Sequence, residues 1–379
     1  MSNSNSALTR VPVEIWGIIL LEVIHVPYLL DTTCVGSFFL LWDAIDSAKE
    51  RSSQLEWQIR LLCLVCKSWK HFVDTKLYRY RSIGFQDGQL DPHILANAQR
   101  AQLCLPLGHM LTVPTRWEVV EIDDSDMVDE FLVSIRQGYH PRLRRLTLCL
   151  NQWTKQLFLS AARDSVVFYH LTFLHLRFPW GSRMQLPTTT MVQVALPRLE
   201  VLIWDDYDGL LPSQMFRLPT LRHLGWGKRD DRFPVSTLLS YAPTLHSLSI
   251  RGGSNLERTL VLPDLNKFPY LEELSINIPF EIKDPNLVPP TYPLHTINIV
   301  HLDSTTIDGV KQILLCNPVK LRRIQSGLLQ WGRGGLPSYP YEIMRNCEEV
   351  VGFAECCQDR GIRMEDSRGR LRSEVPPTV

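Results

Sequence analysis

Nine short runs along the chain share one spacing of apolar positions: WEVVEI from Trp117, LRRLTL from Leu143, LTFLHL from Leu171, LEVLIW from Leu199, LRHLGW from Leu221, LHSLSI from Leu245, LEELSI from Leu271, LHTINI from Leu294 and LRRIQS from Leu321. Successive starts lie 26, 28, 28, 22, 24, 26, 23 and 27 residues apart, a mean of 25.5. Side chains alternate along a strand, so the fourth and sixth positions of each run share one face, and the first anchors the turn before it. Residues 127–138, 234–243 and 305–318 between the runs have helical spacing. A strand, a turn and a helix cannot bury their apolar faces alone, so the period predicts an α/β solenoid with a parallel sheet on its concave side. A plain βαβ sheet is the alternative. Nine strands about 4.8 Å apart would span roughly 40 Å.

Ahead of the runs the pattern changes. Residues 10–26, RVPVEIWGIILLEVIHV, predict a helix whose polar stripe, Glu14, Gly17, Glu22 and His25, covers only roughly 140°. That is more apolar surface than a small helical module can hide, so the surplus is expected under the repeats or against a partner. Residues 58–73, QIRLLCLVCKSWKHFV, predict a second amphipathic helix. The reading divides the chain into a helical module at 8–80 with an internal insert at 27–57, repeats with a C-terminal helix-and-strand cap at 81–365, and a disordered tail at 366–379. Residues 1–7 are expected to be disordered too.

Lys plus Arg and Asp plus Glu both number 40, so the chain has no net field to draw in nucleic acid or an anionic membrane surface. Its nine cysteines are an odd, scattered set, which fits a reducing compartment and argues against a disulfide framework. No Asn-x-Ser/Thr site occurs, the first residues lack a signal-peptide pattern, and the apolar run Ile15–Leu21 is too short to span a bilayer. A cytoplasmic or nuclear protein is expected.

Cys63 and Cys66 raise the question of a metal or redox pair. A redox pair normally sits at a helix N-terminus, whereas the periodicity puts both cysteines inside one helix. A structural zinc site needs a second pair within about 12–20 residues, and the next cysteine is Cys104. Small buried hydrophobes are the reading that remains, with no metal and no cofactor. No Gly-x-Ser-x-Gly, His-Glu-x-x-His or dinucleotide fingerprint occurs, so the chain is read as no enzyme. The outward strand positions, His175, Arg177, Asp205, Arg251, Ser275 and Asn277 among them, would offer a surface to a target protein. Asp205, Asp206 and Asp208 would face Lys228, Arg229 and Arg232 across one strand spacing, a solvated charge network. Of the aromatics near that edge, Trp204 and Trp226 read as core. Trp153, Trp180 and Tyr207, with Arg177 and Arg251, are the candidate target contacts.

VPVEIWGIILLEVI followed by LLCLVCKSWKHFV resembles the F-box over residues 10 to about 80, with Leu64-Val65-Cys66-Lys67-Ser68-Trp69 the more specific part. The resemblance implies a small helical module that docks on the Skp-type adaptor of a cullin-RING ubiquitin ligase. Carried over position by position, it makes Pro12, Ile15, Ile18, Leu64, Val65, Cys66 and Trp69 the adaptor-binding or module-core residues. Val11 stands where the family has leucine, and the 27–57 insert, with its apolar patch Phe38–Trp42, replaces a short connection. Such an insert is similar to those of F-box proteins in mushroom-forming fungi. The nine runs resemble degenerate leucine-rich repeats, whose period is 20–29 residues. Of the asparagines that the family places at the ninth position, Asn151 alone is present. Together these imply the substrate receptor of an SCF-type ligase with an unknown target protein. A non-catalytic binding scaffold outside ubiquitination is the alternative.

Overall fold

A computed structural model of the protein describes residues 12–23, 31–34, 36–46, 48–76, 82–84, 98–103, 114–178, 193–205, 212–228, 235–252, 260–262, 264–277, 280–282, 291–299, 302, 304–316, 318–331, 337–338 and 347–374. Each of the nine runs forms a strand that begins two residues after its first apolar position. These strands are β3 (Val119–Ile122), β4 (Arg145–Cys149), β5 (Phe173–Arg177), β6 (Val201–Asp205), β7 (His223–Lys228), β8 (Ser247–Gly252), β9 (Glu273–Ile276), β10 (Thr296–Ile299) and β11 (Arg323–Ser326). They pair in one register throughout, so that Val119, Arg145, Phe173, Val201, His223, Ser247, Glu273, Thr296 and Arg323 stand side by side. Three further strands extend the ladder: β1 (Ser82–Gly84) and β2 (Arg100–Leu103) before it and β12 (Arg363–Glu365) after it. The result is an α/β protein with a twelve-stranded parallel sheet whose strands follow chain order from edge to edge.

The sheet's two faces differ as the alternation requires. The first, fourth and sixth positions of the runs point into the main core, where Leu146, Leu174, Leu202, Leu224 and Leu274 are fully buried together with Trp204 and Trp226. Truncating one such leucine to alanine would cost about 2–5 kcal/mol. Behind this face lie α5 (Ser125–Arg136), α6 (Gln152–Asp164), α7 (Val235–Tyr241), α8 (Ser304–Leu315) and α9 (Cys347–Asp359). Asn151 does not bridge a repeat turn. It caps α6, accepting from the N–H groups of Trp153 and Thr154 at 2.9 Å each, while Thr154 Oγ1 accepts from the Asn151 N–H.

The sheet is open and does not curl, which corrects the concave surface expected from the repeats. Curvature needs a back layer wider than the sheet, since helices pack 8–10 Å apart and strands about 4.8 Å. Here that layer is uneven. Full helices follow β3, β4, β10 and β11, whereas Pro212–Met215 is a single turn and short ladders pair 194–195 with 216–217 and 260–262 with 280–282.

The N-terminal helices are α1 (Val13–Val23), α2 (Phe38–Asp46), α3 (Ala48–Val65) and α4 (Lys67–Lys76). Residues 58–73 are therefore not one helix. Cys66 stands between α3 and α4 and acts as the N-cap of the latter: its sulfur accepts from the Trp69 N–H at 3.4 Å, and its carbonyl from that of Lys70 at 3.0 Å. The break brings Trp69 against Trp16 of α1, with ring centroids 5.3 Å apart. At the other end, the tail expected to be disordered from residue 366 is ordered as far as Glu374. The cause is Asp366, wholly buried, which accepts from the N–H groups of Trp331, Arg368 and Arg370 and from the Arg370 guanidinium. Burial alone would raise this carboxyl; those donors hold it below the usual range.

Candidate functional site

The second face of the sheet, expected to be open to a target, is occupied in its middle by the chain's own residues 31–46. Phe38, Leu41 and Trp42 of α2 pack on Phe173, Val201 and Ile203, and all six are buried. Gly225 makes room for the indole: a Cβ there would lie 2.6 and 2.8 Å from two Trp42 ring carbons. The Arg251 guanidinium sits 3.9 Å from the centroid of the Trp42 ring and pairs with Asp43 at 2.6 Å. Glu273 of β9 anchors the start of α2. Its carboxylate accepts from Ser37 Oγ at 2.5 Å and from the Phe38 N–H at 2.8 Å, 235 residues away in sequence, and from Asn298 Nδ2 at 2.8 Å. A carboxylate at a helix N-terminus satisfies orphan N–H groups and complements the helix dipole. Further along, the Asp31 carbonyl accepts from Arg145 at 3.1 Å, and that of Thr32 from Thr172 Oγ1.

Next to this strap the same face carries a buried charge triad. Glu121 bridges Arg100 and Arg145, the latter at 3.1 Å. Burial alone would raise the Glu121 carboxyl, but the two guanidinium groups hold it below the ordinary carboxylate range. Arg177 donates to Asp123 at 2.9 Å, and Asp205 pairs with the buried His175 at 2.8 Å. Arg177 and Arg251, two of the candidate target contacts, thus each make an ion pair within the chain. Trp153 is 71% exposed but stands on α6, on the opposite side of the sheet from that face. Trp331 is buried. Trp180, Tyr207, Asp206, Asp208, Arg229 and Arg232 lie outside the described residues.

The N-terminal helices carry the open apolar surface. Ile15, Ile18 and Ile19 of α1 and Leu61, Leu64 and Val65 of α3 are exposed, Leu64 at 82% and Ile18 at 57%. Trp57, one and two turns before those α3 residues, is 61% exposed. Pro12 and Cys66 are exposed, while Trp69 is half-buried against Trp16. The candidate adaptor residues therefore fall on α1, on the end of α3 and on α4, with the tryptophan pair joining α1 to α4. Ile19 of α1 and Trp57 and Leu61 of α3 are exposed too and were not among the sequence candidates; for Ile19 the signal was the surplus of apolar positions around the first helix.

Among the described residues no group of three or more His, Cys, Asp or Glu is arranged to hold a metal ion. Among them, too, no helix is long and apolar enough to cross a membrane. No protein-family model matches the chain, and no curated protein matches it.

Proposed function

We propose that the chain is a substrate-receptor subunit of a cullin-RING, SCF-type ubiquitin ligase, with α1–α4 as a modified F-box that binds a Skp-type adaptor and the repeats as a solenoid that presents a target protein. The observation that carries this reading is the exposure of Ile15 and Ile18 on α1 and of Leu61, Leu64 and Val65 on α3, with Trp16 of α1 held against Trp69 of α4. Exposed aliphatic and aromatic side chains grouped on one element mark a protein partner rather than a substrate pocket. The chain itself performs no chemistry on this reading. It raises the effective concentration of the target's lysines near the conjugating enzyme.

The experiment is co-elution of the purified chain with a Skp-type adaptor, for the wild type and for Leu64→Asp. Leu64 makes too little contact within the fold for its replacement to unfold the chain, so the variant should keep its far-UV spectrum and lose at least about tenfold in adaptor affinity. Absence of a wild-type complex, or a Leu64→Asp complex of equal strength, rejects the reading. The scaffold alternative keeps one specific support: α2 is built into the sheet, so the N-terminal region is already doing structural work.

A further inference from the structure

With the middle of the second sheet face taken up by residues 31–46, the helical side offers a formed groove where a receptor can meet its target. A cavity of about 220 Å³ lies between α5 and α6, lined by Asp129, Glu130, Leu132, Val133, Arg136 and Leu157. Val133 is 52% exposed, and Leu157 and Trp153, one turn apart on α6, are exposed beside it. At one end Arg136 is held by Asp164 at 3.5 Å and by Ser160. At the other stand Asp126, Asp129 and Glu130, all exposed and, among the described residues, without a paired cation. The nearby Lys155 is buried, with its ammonium 5.3 Å from the centroid of the Phe178 ring. Burial raises the Asp129 carboxyl, and its neighbour Asp126 raises it further, so an incoming cation would relieve both.

We propose that this groove is the docking site for a basic amphipathic helical segment of the target, whose apolar residues pack on Val133, Trp153 and Leu157 and whose Lys or Arg side chains meet Asp126, Asp129 and Glu130. Apolar anchors spaced one turn apart with a charged rim are the requirements of helix-in-groove recognition. The negative rim selects the sign of the partner and speeds its approach. The proposal rests on the receptor reading for the word target; the binding itself does not need the adaptor.

The test is fluorescence anisotropy with the full chain and a labelled Leu/Lys peptide of about 18 residues, five helical turns, patterned to be amphipathic. Two controls accompany it: the same peptide with Glu for Lys, and a scrambled peptide of equal composition. The Leu/Lys peptide should bind and the controls should not. Trp153→Ala and, separately, Asp129→Lys with Glu130→Lys should each weaken binding about tenfold or more. Leu64→Asp should bind the peptide like the wild type, which separates this groove from the adaptor surface. Both groove variants should still co-elute with the adaptor if the receptor reading holds, so the two proposals fail independently. Equal binding of acidic and basic peptides, no effect of the charge reversals, or a wild-type dimer that Trp153→Ala converts to monomer in sedimentation would overturn the assignment, the last by making a second copy the occupant. Trp153 and Glu130 are both exposed, so if one variant loses its fold the other still decides the question.

Discussion

The packing of Trp42 on Gly225 can be broken from either side, and the two perturbations should depend on each other. Trp42→Ala removes a buried indole and the guanidinium contact above it. Large aromatic-to-alanine changes cost about 3–5 kcal/mol, and a half-buried cation–π contact adds about 0.5–2, so a loss of roughly 4–5 kcal/mol is expected. Trp42→Phe should cost only about 1 kcal/mol, since it keeps a ring there and removes an indole N–H that is buried without an acceptor. Gly225→Ala puts a methyl 2.6 Å from the same ring and should cost about 1–3 kcal/mol in the wild type. With Trp42 gone the nearest remaining contact of the added methyl is Ile203 Cγ1, at 3.2 Å, and most of that cost should vanish, giving a coupling of about 1–2 kcal/mol in a double-mutant cycle. The cycle is read by urea unfolding with far-UV circular dichroism. Cys34 gives an independent signal: burial, then Glu273 and Asp31, pushes its thiol up to about 12, so it should be alkylated slowly in the wild type and faster in Trp42→Ala, as mapped by mass spectrometry. Additivity of the two substitutions within about 0.3 kcal/mol would mean that the indole does not rest on Gly225, and the strap would have to lie elsewhere.

Glu121→Gln should destabilise the chain by about 3–5 kcal/mol in urea unfolding, because it leaves Arg100 and Arg145 buried without their shared anion; a shift below about 1 kcal/mol would deny the triad a structural role. His140 is buried between Trp117 and Phe131 with the hydroxyls of Thr115 and Ser134 at 2.8 and 2.7 Å, and burial lowers its pKa from 6.5 to about 4. The unfolded chain takes up that proton near 6.5, so stability should be full above that pH and fall by about 3 kcal/mol as pH drops toward 4, and His140→Gln should flatten the measured slope. His223, lowered to about 4 by burial and then by His246 and Arg222, adds a decline of the same sign that this variant leaves in place. Gly309→Ala sets a methyl against the Phe280 carbonyl and 3.0 Å from its ring, so α8 must move; a loss of about 1–3 kcal/mol is expected, and an unchanged thermal midpoint would refute that packing.

The nine repeat strands were legible because the information lies within six residues: alternation sets the face, and the first leucine sets the phase. β2 escaped because its inward residues, Ala101 and Leu103, are few and small, and its outward ones, Arg100 and Gln102, are polar yet buried. The break at Cys66 escaped because apolar periodicity continues through it, while the capping sulfur that ends one helix and starts the next has no strong sequence signature. The strap escaped for a different reason. Its contacts join residues up to 236 apart, so no local pattern reports them. Two clues were nonetheless present: Phe38–Trp42 is an apolar cluster with no partner nearby in sequence, and Phe173, Val201, Ile203 and Gly225 interrupt a set of outward positions that, Val119 apart, is polar. An apolar cluster without a cover and a bare apolar patch on a sheet belong together on elementary grounds.

That pairing also changes what a truncation can say. Removing residues 1–80 would strip α2 from Phe173, Val201 and Ile203 and take from Glu273 and Arg251 their contacts to that helix, so unfolding would follow whether or not the N-terminal helices bind an adaptor. The roles separate only where the apolar surface is changed and the strap is left, as at Leu64. The same connection has a positive consequence for the receptor reading. α3 begins two residues after α2 ends, so the helix that exposes Leu61 and Leu64 is tied directly to one fixed on the sheet. A receptor that works by proximity gains from a short, ordered link, because the effective concentration it creates falls as the link lengthens and loosens. On that reading the long insert is the device that holds the adaptor surface at a set position relative to the repeats.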